Sequence, residues 1–199
     1  MGWFGPGRDE VWGQLCKEIG GELVRKGRWQ GSKVKLDVGP WTIVLDKHTV
    51  SHGDSSTTYT RLRAPFLNPA GFRFEIHRKG PFSGLGKLLG LQDIEVGDPE
   101  FDEAFIIKSN DEATVRELLA NPRIRQMIQA LPRVRLEIKD NEGWFGTRFP
   151  GDPDVLYLLA PGVIKDVALL KLLFELFATM LDQLCRIRAT TKQHPGVSL

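Results

Sequence analysis

The spacing of hydrophobic positions changes along this chain, and each change marks an element. From Val163 to Arg188 there is no Gly or Pro, and Lys171, Glu175, Thr179, Asp182 and Arg186 recur every three or four positions. That spacing draws one narrow polar stripe on a helix whose remaining surface is apolar and must be covered. A second amphipathic helix is predicted over Arg8 to Lys26, with Val11, Trp12, Leu15, Cys16, Ile19 and Leu23 as its apolar stripe. Gly20 and Gly21 weaken its end, each by roughly 1 kcal/mol relative to Ala.

Between these helices the period drops to two. Strands are predicted over Val34–Val38, Trp41–Leu45, Thr57–Arg63 and Gly71–His77. In the last of these, Phe72, Phe74 and Ile76 alternate with Arg73, Glu75 and His77, the half-buried antiparallel pattern. Phe82–Leu89 is predicted to be a short helix capped by Gly90, and Phe101–Lys108 a strand. Ser109 with Glu112 reads as a capping box opening a helix through Ala120. Asn121-Pro122 opens another through Leu131. Arg133–Lys139, Trp144–Phe149 and Val155–Ala160 complete the strands.

Short turns join sequential strands, and helices do not alternate regularly with them. The fold class is therefore α+β, a mostly antiparallel sheet with amphipathic N- and C-terminal helices packed on it. Nothing divides the chain, so residues 1–189 form one domain and 190–199 a disordered tail. Phe72-Arg-Phe-Glu-Ile76 echoes Val134-Arg-Leu-Glu-Ile138, which allows two related halves, 31–90 and 91–162.

Composition and charge narrow the function. The chain has 199 residues, 41% hydrophobic and 26% charged, with a formal net charge of +2. These are the proportions of a soluble globular domain, and the charge demands neither nucleic acid nor anionic lipid. No stretch reaches the ~18 uncharged apolar residues of a membrane span. The start has neither a signal peptide's charged and apolar regions nor a myristoylation pattern, since Pro6 replaces the needed Ser or Thr. The expected location is cytoplasmic. Cys16 and Cys185, the two cysteines, lie on apolar helix faces and have no metal spacing.

Candidate chemistry is sparse. The acidic run Asp93, Glu95, Asp98, Glu100, Asp102, Glu103 departs from a calcium loop, because Gly97 occupies a ligand position. Gly84-Leu-Gly86-Lys-Leu-Leu-Gly90 is one residue too long for a dinucleotide fingerprint and follows no parallel strand. His48, His52, His77 and His194 have no metal spacing, and no nucleophile elbow is present. Arg61 and Arg63 share a strand face, and Arg73 stands across from them if their strands pair. These three are anion-binding candidates, for an anionic lipid or a phosphate. His77, Asp98 and Asp102 are the polar-site candidates. No catalytic residue, metal site or cofactor is assigned, and nucleic acid is disfavoured because Gly71-Phe-Arg-Phe is no RNA-recognition signature.

The run Gly97-Asp-Pro-Glu-Phe-Asp102, continued by Glu-Ala-Phe-Ile-Ile-Lys-Ser109 and a helix with Leu118-Leu119, resembles a bacterial domain family without an established activity. Tyr59-Thr-Arg61 adds to the likeness, which spans about Gly31 to Leu131 in pattern. The resemblance implies no catalytic residues. The resemblance implies N-terminal membrane helices in many members, and none is expected from this sequence. The expectation is a soluble, non-enzymatic binding or protein-interaction module, in solution or peripheral to a membrane. Self-association is expected through Leu169, Leu173, Leu176, Phe177 and Met180. The alternative is a small hydrolase or ligand-binding enzyme with its pocket between sheet and C-terminal helix.

Overall fold

A computed structural model of the chain describes residues 6–25, 31–80, 91–139 and 153–196. Helix α1 (Arg8–Ile19) buries Val11, Trp12, Leu15 and Cys16 and ends at Gly20. Four strands follow, β1 (Glu22–Arg25), β2 (Ser32–Val38), β3 (Trp41–His52) and β4 (Ser55–Phe66). They form a meander of antiparallel neighbours. Then come β5 (Phe74–Arg78), the two-residue β6 (Gln92–Asp93) and the short helix α2 (Pro99–Ala104). After β7 (Phe105–Ser109) the helices α3 (Glu112–Leu119) and α4 (Pro122–Ala130) lead to β8 (Arg135–Lys139). Strand β9 (Asp154–Pro161) and helix α5 (Val167–Arg186) close the order.

The nine described strands join one sheet in the order β1-β2-β3-β4-β9-β8-β5-β7-β6, and every pairing among them is antiparallel. Strand β9 inserts beside β4, and β8 joins β9 to β5. The fold is α+β, as the sequence implied.

One sheet face carries the core. Alternate residues such as Ile43, Leu45, Leu62, Ala64, Phe74, Ile76, Leu136, Ile138, Leu156 and Leu158 cluster with the buried sides of α1, α3, α4 and α5. Asp166 caps α5 by accepting from Leu169 N–H, and the apolar sector of that helix buries eight side chains. Phe177 is fully buried, contributing roughly 1.5–3 kcal/mol by removal from water. Leu173, Leu176, Phe177 and Met180 are all in this core and Leu169 is half-buried, so these side chains are not a free self-association surface. Leu173, Leu176, Phe177 and Met180 belong to the one core cluster that the sheet and the helices share.

Several local expectations change. The strand expected over Phe101–Lys108 is α2 followed by β7: Asp98 caps the helix by accepting from Phe101 N–H, and Pro99 opens it. Phe101 and Phe105 still meet, as stacked rings 4.7 Å apart. Helix α3 is capped by Asp111, which accepts from Thr114 N–H and Oγ1, and not by Ser109. Helix α1 ends seven residues before Lys26 because Gly20 adopts a φ of 73° and the chain turns into β1. Thr190 is buried and its hydroxyl donates to Leu67 O, so the chain is still attached at the first residue of the expected tail. The helix expected over Phe82–Leu89, the Gly84–Gly90 run and the strand over Trp144–Phe149 lie outside the described residues.

Candidate functional site

The face of the sheet opposite the helices is polar, and the register aligns its side chains into rows. One row reads Asp46, Arg61, Leu159, Arg135, His77 and Ile106 across β3, β4, β9, β8, β5 and β7. The next reads Val44, Arg63, Tyr157, Glu137, Glu75 and Lys108. Strand alternation puts these residues opposite the core set. They are nonetheless withdrawn from water: Asp46 is 5% exposed, Glu75 2% and Glu137 1%. Buried charges of this kind need partners.

At one end of this face two guanidiniums share one carboxylate. Arg61 donates from Nε and an NH2 group to the two oxygens of Asp46, each at 2.8 Å. Arg63 donates to Asp46 Oδ2, also at 2.8 Å. Arg61 also lies 3.2 Å from His48 Nδ1, and because a guanidinium only donates, that nitrogen accepts. His48 is therefore the neutral tautomer with its proton on Nε2. Burial holds its pKa below the ordinary value, and Arg61, Arg63 and Lys139 push the same way while Asp46 opposes them. Burial also works against the charge of both arginines. The bidentate bond and charge of Asp46 outweigh it at Arg61, whose pKa rises, but the single bond does not at Arg63, whose pKa falls. Lys139 Nζ sits 4.0 Å from the centre of the Tyr157 ring, beside Arg63 in the register. Asp46 neutralises one of the two guanidiniums it holds and leaves one positive charge over.

Farther along, Glu75 and Glu137 stand directly opposite each other on β5 and β8. Like charges so placed repel. Arg135 bridges them, with Nε 3.1 Å from Glu75 Oε1 and an NH2 group 3.1 Å from Glu137 Oε2. Lys139 lies 3.1 Å from Glu137 Oε1, and His77 Nδ1 3.3 Å from Glu75 Oε1. The other oxygen of Glu75 is buried and makes no hydrogen bond with any described residue.

A separate cleft of about 260 Å³ opens between the α4–β8 junction, the end of β9 and α5. Leu131, Val134, Ala160, Ile164, Leu169 and Leu173 line it with Pro132, Pro161 and Arg133. No carboxylate, imidazole, hydroxyl or thiol is among these residues, so this pocket offers no acid–base pair for the expected hydrolase alternative. Among the described residues no group of three or more His, Cys, Asp or Glu is placed to hold a metal. No described helix is long and apolar enough to cross a membrane.

No family model matches the chain, and no curated protein matches it. Among solved structures it is similar to the crystal structure of the mycobacterial trehalose monomycolate transport factor A, TtfA. The match covers 91% of this chain and 96% of that one, at 10% identity and a TM-score of 0.51. At that identity the likeness is one of fold.

Of the residues singled out from sequence, Arg61 and Arg63 do share one face and one partner. Arg73 is not across from them, because β9 and β8 separate β4 from β5; it pairs with Asp154 at 3.0 Å. His77 lies on the polar face beside Glu75. Asp98 instead caps α2 and pairs with Arg125 at 2.8 Å, while Asp102 accepts from Val96 and Gly97 N–H at 2.9 Å each. No hydrogen bond or ion pair joins His77 to either aspartate among the described residues. Asp46, Arg135, Glu137, Lys139 and Tyr157 join the site only in the structure, although alternation along Val134–Lys139 already sets Arg135, Glu137 and Lys139 on one strand face.

Proposed function

We propose that this chain is a non-enzymatic binding module that takes an anionic group on the polar face of its sheet. Arg61, Arg63 and Lys139, gathered around Tyr157, would hold that group. The supporting observation is the sharing of Asp46 by two guanidiniums, which leaves one partly exposed positive charge beside Lys139. Arginine presents planar paired donors that suit a phosphate or carboxylate. A phosphate can come from a lipid headgroup or from a soluble phosphorylated molecule, and we place the module in the cytoplasm, in solution or against an anionic membrane surface. The neighbour in fold is named as a transport factor for trehalose monomycolate, which is compatible with a binding role, although fold alone does not carry function.

His48 is a built-in reporter. Its pKa is depressed by burial and by the same cations, so an anion docking on them raises it. The experiment follows the His48 ring by NMR during pH titrations with inorganic pyrophosphate, and separately with phosphatidylglycerol vesicles. The expected result is an upward shift with at least one of them, weakened by salt and lost in Arg63→Gln. A shift with pyrophosphate alone assigns a soluble ligand, and one with vesicles alone a membrane surface. No shift with either, or an equal shift in the variant, overturns the reading.

A further inference from the structure

The cleft beside α5 lies on the helix side of the sheet and plays no part in the polar face. Its walls are core side chains: Leu173 is 0% exposed, Leu131 1% and Ala160 4%. Such walls are set by the fold and do not depend on an occupant.

Three of the loop backbone groups around it are already engaged. The Leu131 carbonyl accepts from Arg78 and the Ile164 carbonyl from Trp12 Nε1, while Ile164 N–H donates to Thr60 Oγ1 at 2.8 Å. Pro132 and Pro161 have no N–H to offer. Apart from Arg133 the lining side chains are all apolar, so a polar tail would find no side-chain partner among them and burying it would cost free energy.

Arg133 is the exception. It lines the cleft, is exposed, and makes no hydrogen bond or ion pair with any described residue. No described carboxylate matches its charge, in contrast to Arg61, Arg73, Arg125 and Arg135, each paired with a carboxylate. Asp166, the next acid after the cleft residue Ile164, is committed to capping α5.

An apolar slot with one unpaired cation at its lip fits an aliphatic tail ending in a carboxylate. At about 260 Å³ it falls below the ~300–1,000 Å³ of sites for drug-sized ligands. A short unbranched chain matches that volume better than a ring system. We propose that this cleft is a second binding site, for a short- to medium-chain fatty acid, with its chain against Leu131, Leu169 and Leu173 and its carboxylate on Arg133. This site does not depend on the anion site of the polar face.

The test measures binding of octanoate and of octanol, its uncharged counterpart, by calorimetry and by methyl NMR of Leu131, Val134, Leu169 and Leu173. Octanoate should bind saturably and shift those methyls. Arg133→Gln should weaken octanoate about tenfold and leave octanol unchanged, since only the head group contacts the cation. Leu169→Trp should fill the slot from α5 and abolish binding of both. Ala160→Leu fills it from β9, so the outcome does not hang on one variant folding. Absence of saturable octanoate binding to the wild-type chain overturns the proposal. So does binding that survives in both filled variants, or an Arg133→Gln effect equal for octanoate and octanol.

Discussion

Asp46→Asn tests whether the shared carboxylate organises the polar face. Asp46 is 5% exposed and accepts three charge-assisted hydrogen bonds, two from Arg61 and one from Arg63. Asparagine keeps the volume, removes the charge and turns an NH2 toward a guanidinium. Removing one partner of a fully buried ion pair costs roughly 3–5 kcal/mol. The arginine side chains here keep 19% and 18% of their exposure. Water therefore offsets part of the loss, which places the expected cost near the lower bound, about 3 kcal/mol. For a chain of this length that lowers the melting temperature by roughly 6–12 °C.

The same substitution has a second readout with a defined sign. The folded-state pKa of His48 lies below the ordinary 6.5, and Asp46 is the charge that pulls it upward. Asp46→Asn should therefore lower it further. The unfolded chain takes up this proton at the ordinary pKa, before the folded chain does. The stability associated with neutral His48 is thus fully present above pH 6.5 and lost as pH falls from there toward the folded value. The variant should show a wider window of acid sensitivity. Urea melts at several pH values, with His48 followed by NMR, measure both effects. A variant within ~1 kcal/mol of wild type whose His48 titrates unchanged would refute the shared-carboxylate account, because it would make the Asp46 pairs equivalent to ordinary surface pairs.

Two glycines predict opposite outcomes. Gly13 is inside α1, and a Cβ there would meet nothing nearer than Leu23 Cδ2 at 3.9 Å, so Gly13→Ala should stabilise by ~0.8 kcal/mol in denaturant melts. At Gly21 a Cβ would lie 2.8 Å from the Lys35 carbonyl oxygen, a backbone atom held by β1–β2 pairing. Gly21→Ala should therefore cost about 1–3 kcal/mol, and a neutral result would mean that β1 shifts freely. Burial pushes the Cys16 thiol above its ordinary pKa, as it does for half-buried Cys185. A thiol reagent near neutral pH should label Cys185 first and Cys16 only at the rate of unfolding; rapid labelling of Cys16 would contradict its place in the core.

What could be read from the sequence follows what packs on the core. Helix α5 was legible because its polar stripe at Lys171, Glu175 and Arg186 is the side left exposed while Leu170, Leu173 and Leu184 are buried. Helix α2 was misread because Phe101 and Phe105 are four apart, a spacing that suits both a helix and one strand face. The deciding signal, Asp98 as cap followed by Pro99, is the same one that revealed α4 at Asn121-Pro122. The outer half of the β3–β4 hairpin lies beyond the strands expected from sequence because Ser51 and Ser55–Thr57 are exposed and belong to no buried face. Beyond β2 and β9 it is held by its own ladder, by cross-strand pairs such as Thr49 and Thr58 and by a two-residue turn at Gly53, φ 57°. Alternating burial, the signal that finds strands, is weak there.

The polar face was illegible for a different reason. Its side chains come from β3, β4, β9, β8 and β5, and that order is not the order of the chain. Arg61 and Arg63 were visible as a pair because one strand carries both. Arg135 and Glu137 acquire meaning only when β8 lands beside β5 and sets Glu137 against Glu75. The echo between Phe72–Ile76 and Val134–Ile138 marks the two segments that do pair, and in antiparallel register their glutamates become opposite members of one pair. Two buried carboxylates so placed are tolerable only because Arg135 bridges them, with Lys139 and His77 alongside. Apolar replacements of similar shape would avoid that electrostatic cost. Retaining five charged or ionisable groups there gives stability no evident gain, whereas it supplies Lys139 to the neighbouring Arg61–Arg63 cluster and leaves Glu75 with an acceptor that no described residue fills. That imbalance is why the proposed binding role falls on this face of the sheet and not on the acidic run before β7, whose Asp98 and Asp102 are occupied in holding α2.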